Sequence, residues 1–168
     1  LIAMQSLWYK NSPRQSFRFF NDNAEWKQVD KAGHFYSSFY FSYGVSNALQ
    51  WCNVPAKKSA AAGALTGFLI LLPIEVFDGF SDAYGASSGD LIANAAGSSF
   101  FLGQHLLWKE VRIIPKFSFH STHHAGLRPE TLGDNAISEI FKNYNGQTYW
   151  LSADMDKFIS FPKWLNIS

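Results

Sequence analysis

At 168 residues the chain is one domain by length, with enough residues for one sizeable core. A formal net charge of +1 and the lack of a dense Lys/Arg patch exclude binding to nucleic acid by charge, and a single cysteine, Cys52, excludes an intrachain disulfide. Only 16% of residues are charged while 17% are aromatic, a balance that suits apolar surface facing lipid or a partner; the mean hydropathy of −0.10 is nevertheless too low for a conventional polytopic membrane protein. The two fit together if an apolar helical core is joined to polar, aromatic-rich segments. The opening Leu1-Ile2-Ala3-Met4 reads as the tail of something longer, with room upstream for a signal peptide or a lipidated cysteine.

In chain order, Trp8 and Tyr9 close a first apolar segment, either as membrane-interface aromatics or as an ordinary helix end packed on the core. Residues 11–23 form a connector lying along a surface, whose Asn21, Asp22 and Asn23 offer N-caps. A long helix is expected over 24–51. Asp30 and His34 lie four apart and share a face, so the carboxylate can accept the ring N–H and fix the tautomer; a solvated ion pair at a helix start is the equal alternative. Beyond them, Phe35, Tyr36, Phe39, Tyr40, Phe41 and Tyr43 alternate with Ser37, Ser38 and Ser42, a pattern of core packing and close helix approach.

Val54-Pro55 breaks the chain, and a second helix is expected over 56–77. Lys57 and Lys58 stand at its start, against the helix dipole but suited to anionic lipid. Ala60, Gly63, Ala64 and Gly67 have small-xxx-small spacing, and the stretch from Ser59 to Phe77 is just long enough to cross a bilayer. Pro73 should kink it one turn before Glu75 and Asp78, which share a face. A glycine-rich loop follows. A third helix is expected over 88–110, with Ser87 or Ser88 as cap, Asp90 in the first turn, and Asn94 inside an apolar run that does not explain it.

After Pro115 come His120, His123 and His124, in a stretch expected to be extended, where a metal site is the lesser reading. An amphipathic helix is expected over 134–144, burying Ile137, Ile140 and Phe141, and 147–152 alternates like a strand. Phe161 to Asn166 is an interface-type ending. The fold class is therefore an all-α core, an antiparallel bundle of three main apolar helices with membrane association, carrying an aromatic-rich C-terminal extension with a short amphipathic helix. The core is placed at residues 1–115 and the extension at 116–168, as one structural unit.

Asp30-Lys31-Ala-Gly-His34-Phe35, then Glu75-x-x-Asp78, then Ser87-x-x-Asp90-x-x-x-Asn94-x-x-Gly97 resembles the YfiM-type family of predicted envelope lipoproteins, defined by a domain of unknown function. More distantly the chain is similar to VanZ-like membrane proteins, which share the Asp-Lys-x-x-His opening and the Asp-x-x-x-Asn-x-x-Gly helix. Those usually place Gln after the Glu and an Arg in the following loop, and neither is present here. The resemblance spans roughly 30–108 and implies a location in the bacterial cell envelope, at the outer membrane or the periplasmic face.

Costly carboxylates at the ends of three apolar helices point to one shared polar cluster. Its expected members, Asp30, His34, Glu75, Asp78, Asp90 and Asn94, are also the candidates for any catalysis, and His34, Glu75, Asp78 and Asp90 those for a divalent metal ion. Asp30 is expected to orient His34, and Asn94 to satisfy a carboxylate oxygen. The reading favoured is a non-enzymatic accessory or structural subunit in contact with membrane lipid and other envelope proteins. The alternative is a metal- or acid/base-dependent enzyme acting on a lipid-linked or cell-wall-derived substrate. Against it, Lys31 is the one cation in these motifs that could hold a phosphate.

Overall fold

The computed structural model describes residues 13–22, 26–82 and 85–159. The readings placed on Trp8, Tyr9, Asn23 and the ending at 161–166 lie outside them. A short strand β1 (Phe19–Phe20) precedes the helices α1 (Val29–Trp51), α2 (Ala56–Leu69) and α3 (Leu72–Gly79). Strand β2 (Ala86–Ser87) leads into α4 (Ser88–Trp108), and β3 (Ile113–Phe119) into three short helices, α5 (His123–Leu127), α6 (Pro129–Leu132) and α7 (Ala136–Lys142), before β4 (Gln147–Ala153). The bundle of three main apolar helices is present as expected.

Among the three main helical stretches α1 and α2 run antiparallel, while α1 and α4 are parallel. Ser38, Ser42 and Ser46 of α1 meet Gly67 and Gly63 of α2 in descending order, whereas Phe35 and Phe39 meet Gly97 and Phe101 of α4 in ascending order. The seams are made of small residues: a Cβ on Gly63, Gly67 or Gly97 would run into the backbone of the facing helix. Polarity follows the same seams. Ser38, Ser42, Ser46, Ser59, Ala60 and Ala64 are buried, while Trp51, Leu65, Ile92 and Leu107 are 91%, 60%, 68% and 75% exposed. The interior is small and hydroxylated and the exterior carries large aliphatic groups, the reverse of the usual soluble bundle.

The second expected helix is two. The chain breaks at Ile70–Leu71, because Pro73 near the start of α3 has no N–H to offer the carbonyl one turn back. Ala56–Gly79 remains, among the described residues, the one helical stretch long and apolar enough to cross a membrane. The first helix starts at Val29 rather than 24, after a 3-10 turn (Trp26–Gln28) in which Lys27 and Gln28 take left-handed angles of φ 51° and 61°. Asp22 therefore does not cap it. Residues 13–22 run as an extended segment against α3 and the loop after it, with Arg18 N–H donating to Gly79 O at 2.9 Å and Ala86 N–H to Arg18 O at 3.0 Å.

The extension departs most from expectation. Its strand β4 pairs antiparallel with β3, a strand that sequence reasoning missed and that carries the chain through residue 115. Gln104 of α4 clamps the start of β3, accepting from Arg112 and Ile113 N–H at 2.9 and 2.8 Å and donating to Ile113 O at 3.0 Å. Tyr40 donates to Pro115 O at 2.9 Å, and Tyr36 packs on Phe117 and Tyr149, seating the hairpin on α1. Helix α7 is present, held by a capping box between Asn135 and Ser138, but Ile137 and Phe141 are exposed and only Ile140 is partly covered. With the hairpin already filling the face of α1, α7 has little core left to bury against.

The seams give a paired test. Gly97→Ala drives a methyl into Phe35 O and should destabilise by about 1–3 kcal/mol. Gly44→Ala, on an open helical position, should be neutral or stabilise by up to about 1 kcal/mol. Urea unfolding of the two variants checks both.

Candidate functional site

The polar cluster forms where α1 and α4 begin and α3 ends. At its centre Lys31 Nζ lies 2.8 Å from Asp22 Oδ1 and 3.2 Å from Asp90 Oδ1, with all three side chains largely buried. Ser87 ties three segments together. Its hydroxyl caps α4 by accepting from Asp90 N–H at 3.1 Å and donates to Asp22 Oδ1 at 2.7 Å, while its own N–H donates to Glu75 Oε2 at 3.1 Å. Of the two serines considered as cap, Ser87 takes the role. One turn deeper, Ser38 donates to Asn94 O at 2.6 Å and shares a short hydrogen bond with Ser98.

His34 sits between these layers. Its Nδ1 is 3.1 Å from Asn94 Oδ1, and its Nε2 is 3.7 Å from Glu75 Oε1. An amide oxygen only accepts, so Nδ1 carries a proton. This corrects two expectations. Asn94, not Asp30, orients the ring, and Asn94 serves the histidine instead of a carboxylate. Asp30 Oδ1 instead accepts from Tyr144 OH at 2.7 Å, a contact from the extension across 114 residues of sequence. Glu75 Oε1 and Asn94 Nδ2 are buried without a hydrogen-bond partner among the described residues.

Of the six expected residues, Asp30, His34, Glu75, Asp90 and Asn94 come together. Asp30, His34 and Asp90 each offer one ligand atom within 4.8 Å of the others; Glu75 and Asp78 are outside that trio, though Glu75 Oε1 stands 3.7 Å from His34 Nε2 and the charge of Asp78 is felt at Glu75. His120, His123 and His124 are exposed and join no such group among the described residues; the last two open the helix α5 rather than extending a strand. Sequence reasoning missed Asp22, Ser87 as a hub, and Tyr144. A capping serine three before an acid signalled the second; nothing local signals the other two.

The charges respond to burial and to one another. Burial disfavours the Lys31 ammonium, but Asp22 and Asp90 outweigh it and hold its pKa above the ordinary lysine value. Burial would likewise lower the His34 pKa, yet Asp30, Asp90 and Glu75 together raise it. Burial pushes Glu75 up to about 7 in spite of His34 and the Ser87 N–H, which favour its anion. Asp90 is raised too, mainly by burial.

Two tests follow from this balance. Lys31→Met strands Asp22 and Asp90 in a buried setting and should cost about 3–5 kcal/mol, against at most about 0.5 kcal/mol for exposed Lys58→Ala; chemical denaturation reads the difference. Between the ordinary glutamate value of 4.5 and about 7, folded Glu75 holds a proton that the unfolded chain has released. Stability therefore falls as pH rises across that window. His34, raised above 6.5, adds stability that is full below 6.5 and lost as pH rises through its folded value. Both act in one direction, so stability in metal-free buffer should decline from about pH 5 to about pH 8. Glu75→Gln should remove roughly 2–3 kcal/mol of that decline.

Residues 18–104, just over half of the chain, match the family described as a predicted periplasmic lipoprotein (DUF2279). No curated protein and no solved structure matches. The matched span runs from β1 to the Gln104 clamp and contains every cluster residue except Tyr144. The chain thus belongs to the DUF2279 family of predicted periplasmic lipoproteins, and its place is the bacterial cell envelope at the periplasmic face.

Proposed function

We propose that this protein is a non-enzymatic accessory subunit of the envelope, seated in membrane lipid by the outer face of its bundle and locked internally by its polar cluster. The reversed polarity of the bundle carries the reading. Leu65, Leu69 and Ile70 of the second apolar stretch and Ile92, Leu106 and Leu107 of α4 are exposed, while glycine, alanine and serine fill the seams. Water makes such a surface unfavourable, whereas lipid tails accept it, and close packing through small residues then supplies helix association. The cluster lies at the polar end of the bundle, and most of its members bind between different elements, two of the contacts joining α1 directly to α4, as a lock requires. The outer membrane is the bilayer this reading favours, and other envelope proteins are the partners the exposed extension would meet. The Asp30-Lys31-x-x-His34 and Asp90-x-x-x-Asn94-x-x-Gly97 motifs, which are in contact, support a YfiM-type affiliation with more distant VanZ-like kinship.

Co-sedimentation of the purified chain with phospholipid vesicles tests the seating. Wild type should bind, and Leu65→Glu with Leu107→Glu should weaken partition by at least about tenfold, because each buried carboxylate at lipid depth costs about 2.5–3.5 kcal/mol. A chain that stays monomeric in detergent-free buffer and ignores vesicles would refute the reading.

A further inference from the structure

We propose that Asp30, His34 and Asp90, with Glu75 approaching from α3, bind one divalent first-row cation that accepts both oxygen and imidazole ligands, of the Zn²⁺ or Mn²⁺ type. The donor set is three carboxylates and one imidazole without thiolate, a mixture that suits these ions better than Ca²⁺ or Cu⁺.

Geometry makes the cluster more than a group of acids. Each carboxylate spends one oxygen on the framework: Asp30 Oδ1 on Tyr144, Asp90 Oδ1 on Lys31 and Glu75 Oε2 on Ser87 N–H. Their second oxygens take no hydrogen bond among the described residues. Glu75 is 3% exposed, and its unpaired Oε1 is aimed at His34 Nε2, at ion-pair range but too far for a hydrogen bond. The His34 ring is held from behind through Nδ1 by Asn94, the outer-shell arrangement that fixes a metal-ligating histidine and leaves Nε2 to ligate. The cluster also gathers four carboxyl groups, Asp22, Asp30, Glu75 and Asp90, around one ammonium, Lys31, and one imidazole, His34, a surplus of acids that a dication offsets once its ligands are deprotonated. Ligand atoms around Zn²⁺, bound at about 2.0–2.2 Å, stand roughly 3.3 Å apart. The 4.8 Å limit on the trio is thus closed by modest carboxylate rotation.

The proposal extends the locking role given to the cluster and is independent of lipid seating, so the vesicle experiment and a metal titration can fail separately. The full purified chain, stripped with chelator and dialysed, is titrated with ZnCl₂ and with MnCl₂ by calorimetry and by thermal unfolding. Saturation at one equivalent and a rise in Tm are expected. Both should be lost in His34→Gln and in Asp30→Asn, each checked for fold by circular dichroism, and Asn94→Ala should weaken affinity about 10–100-fold. A chain with His120→Gln, His123→Gln and His124→Gln together should bind as wild type does. Absence of saturable binding to wild type overturns the proposal. So does binding that survives His34→Gln and Asp30→Asn but disappears in the triple histidine variant.

Discussion

One buried ammonium sets the arrangement of this protein. Lys31 stands at the start of α1 and is shared by Asp22, from the extended segment before it, and Asp90, in the first turn of α4. A lysine taken out of water is tolerable only beside anions, and these anions only beside it. The pairing brings the N-terminal ends of α1 and α4 together, which makes those helices parallel and requires the chain between them to go down and come back. Once α1 and α4 are in that register, Ser87, His34, Asn94 and Ser38 fall into their hydrogen bonds without further adjustment.

Above that polar end, the bundle is held by approach rather than by bulk. Facing helices come close enough that Gly63, Gly67 and Gly97 have no room for a methyl group, and Ser42 returns its hydroxyl to Ser38 O within its own helix. Phe39 and Phe101, both buried, fill the one wide part of the α1–α4 seam. Packing of this kind gains dispersion contacts but removes little large apolar surface from water, which is why the leucines and isoleucines remain outside. That exposed apolar surface is the one on which the proposed lipid seating rests.

The extension reaches the polar cluster as well as completing the shape. Gln104 and Tyr40 hold the β3–β4 hairpin against the helices, and that placement lets the turn after α7 deliver Tyr144 to Asp30. Burial and the neighbouring Asp30 raise the Tyr144 pKa far above the ordinary tyrosine value, so its hydroxyl stays a donor throughout the physiological range. A segment outside the span matched to the family thereby completes the cluster.

The sequence by itself determined the three helices, the small-residue seams, a kink at Pro73 and most of the cluster, because each depends on short-range rules. Spacing of four places Asp30 under His34, glycine and alanine spacing marks a close seam, and acids inside apolar runs must be compensated. Tertiary structure alone decided which groups do the compensating. Asp22 looked like a helix cap and became a partner of Lys31; Asn94 looked like a carboxylate's neighbour and became the support of His34. Tyr144 carried no local signal at all, and neither did the pairing of β3 with β4. Asn94 meets His34 across 60 positions and Tyr144 meets Asp30 across 114, while Asp22 and Lys31 are close in sequence but belong to different elements; local periodicity is silent on each, and the docking of complete elements selects the partner.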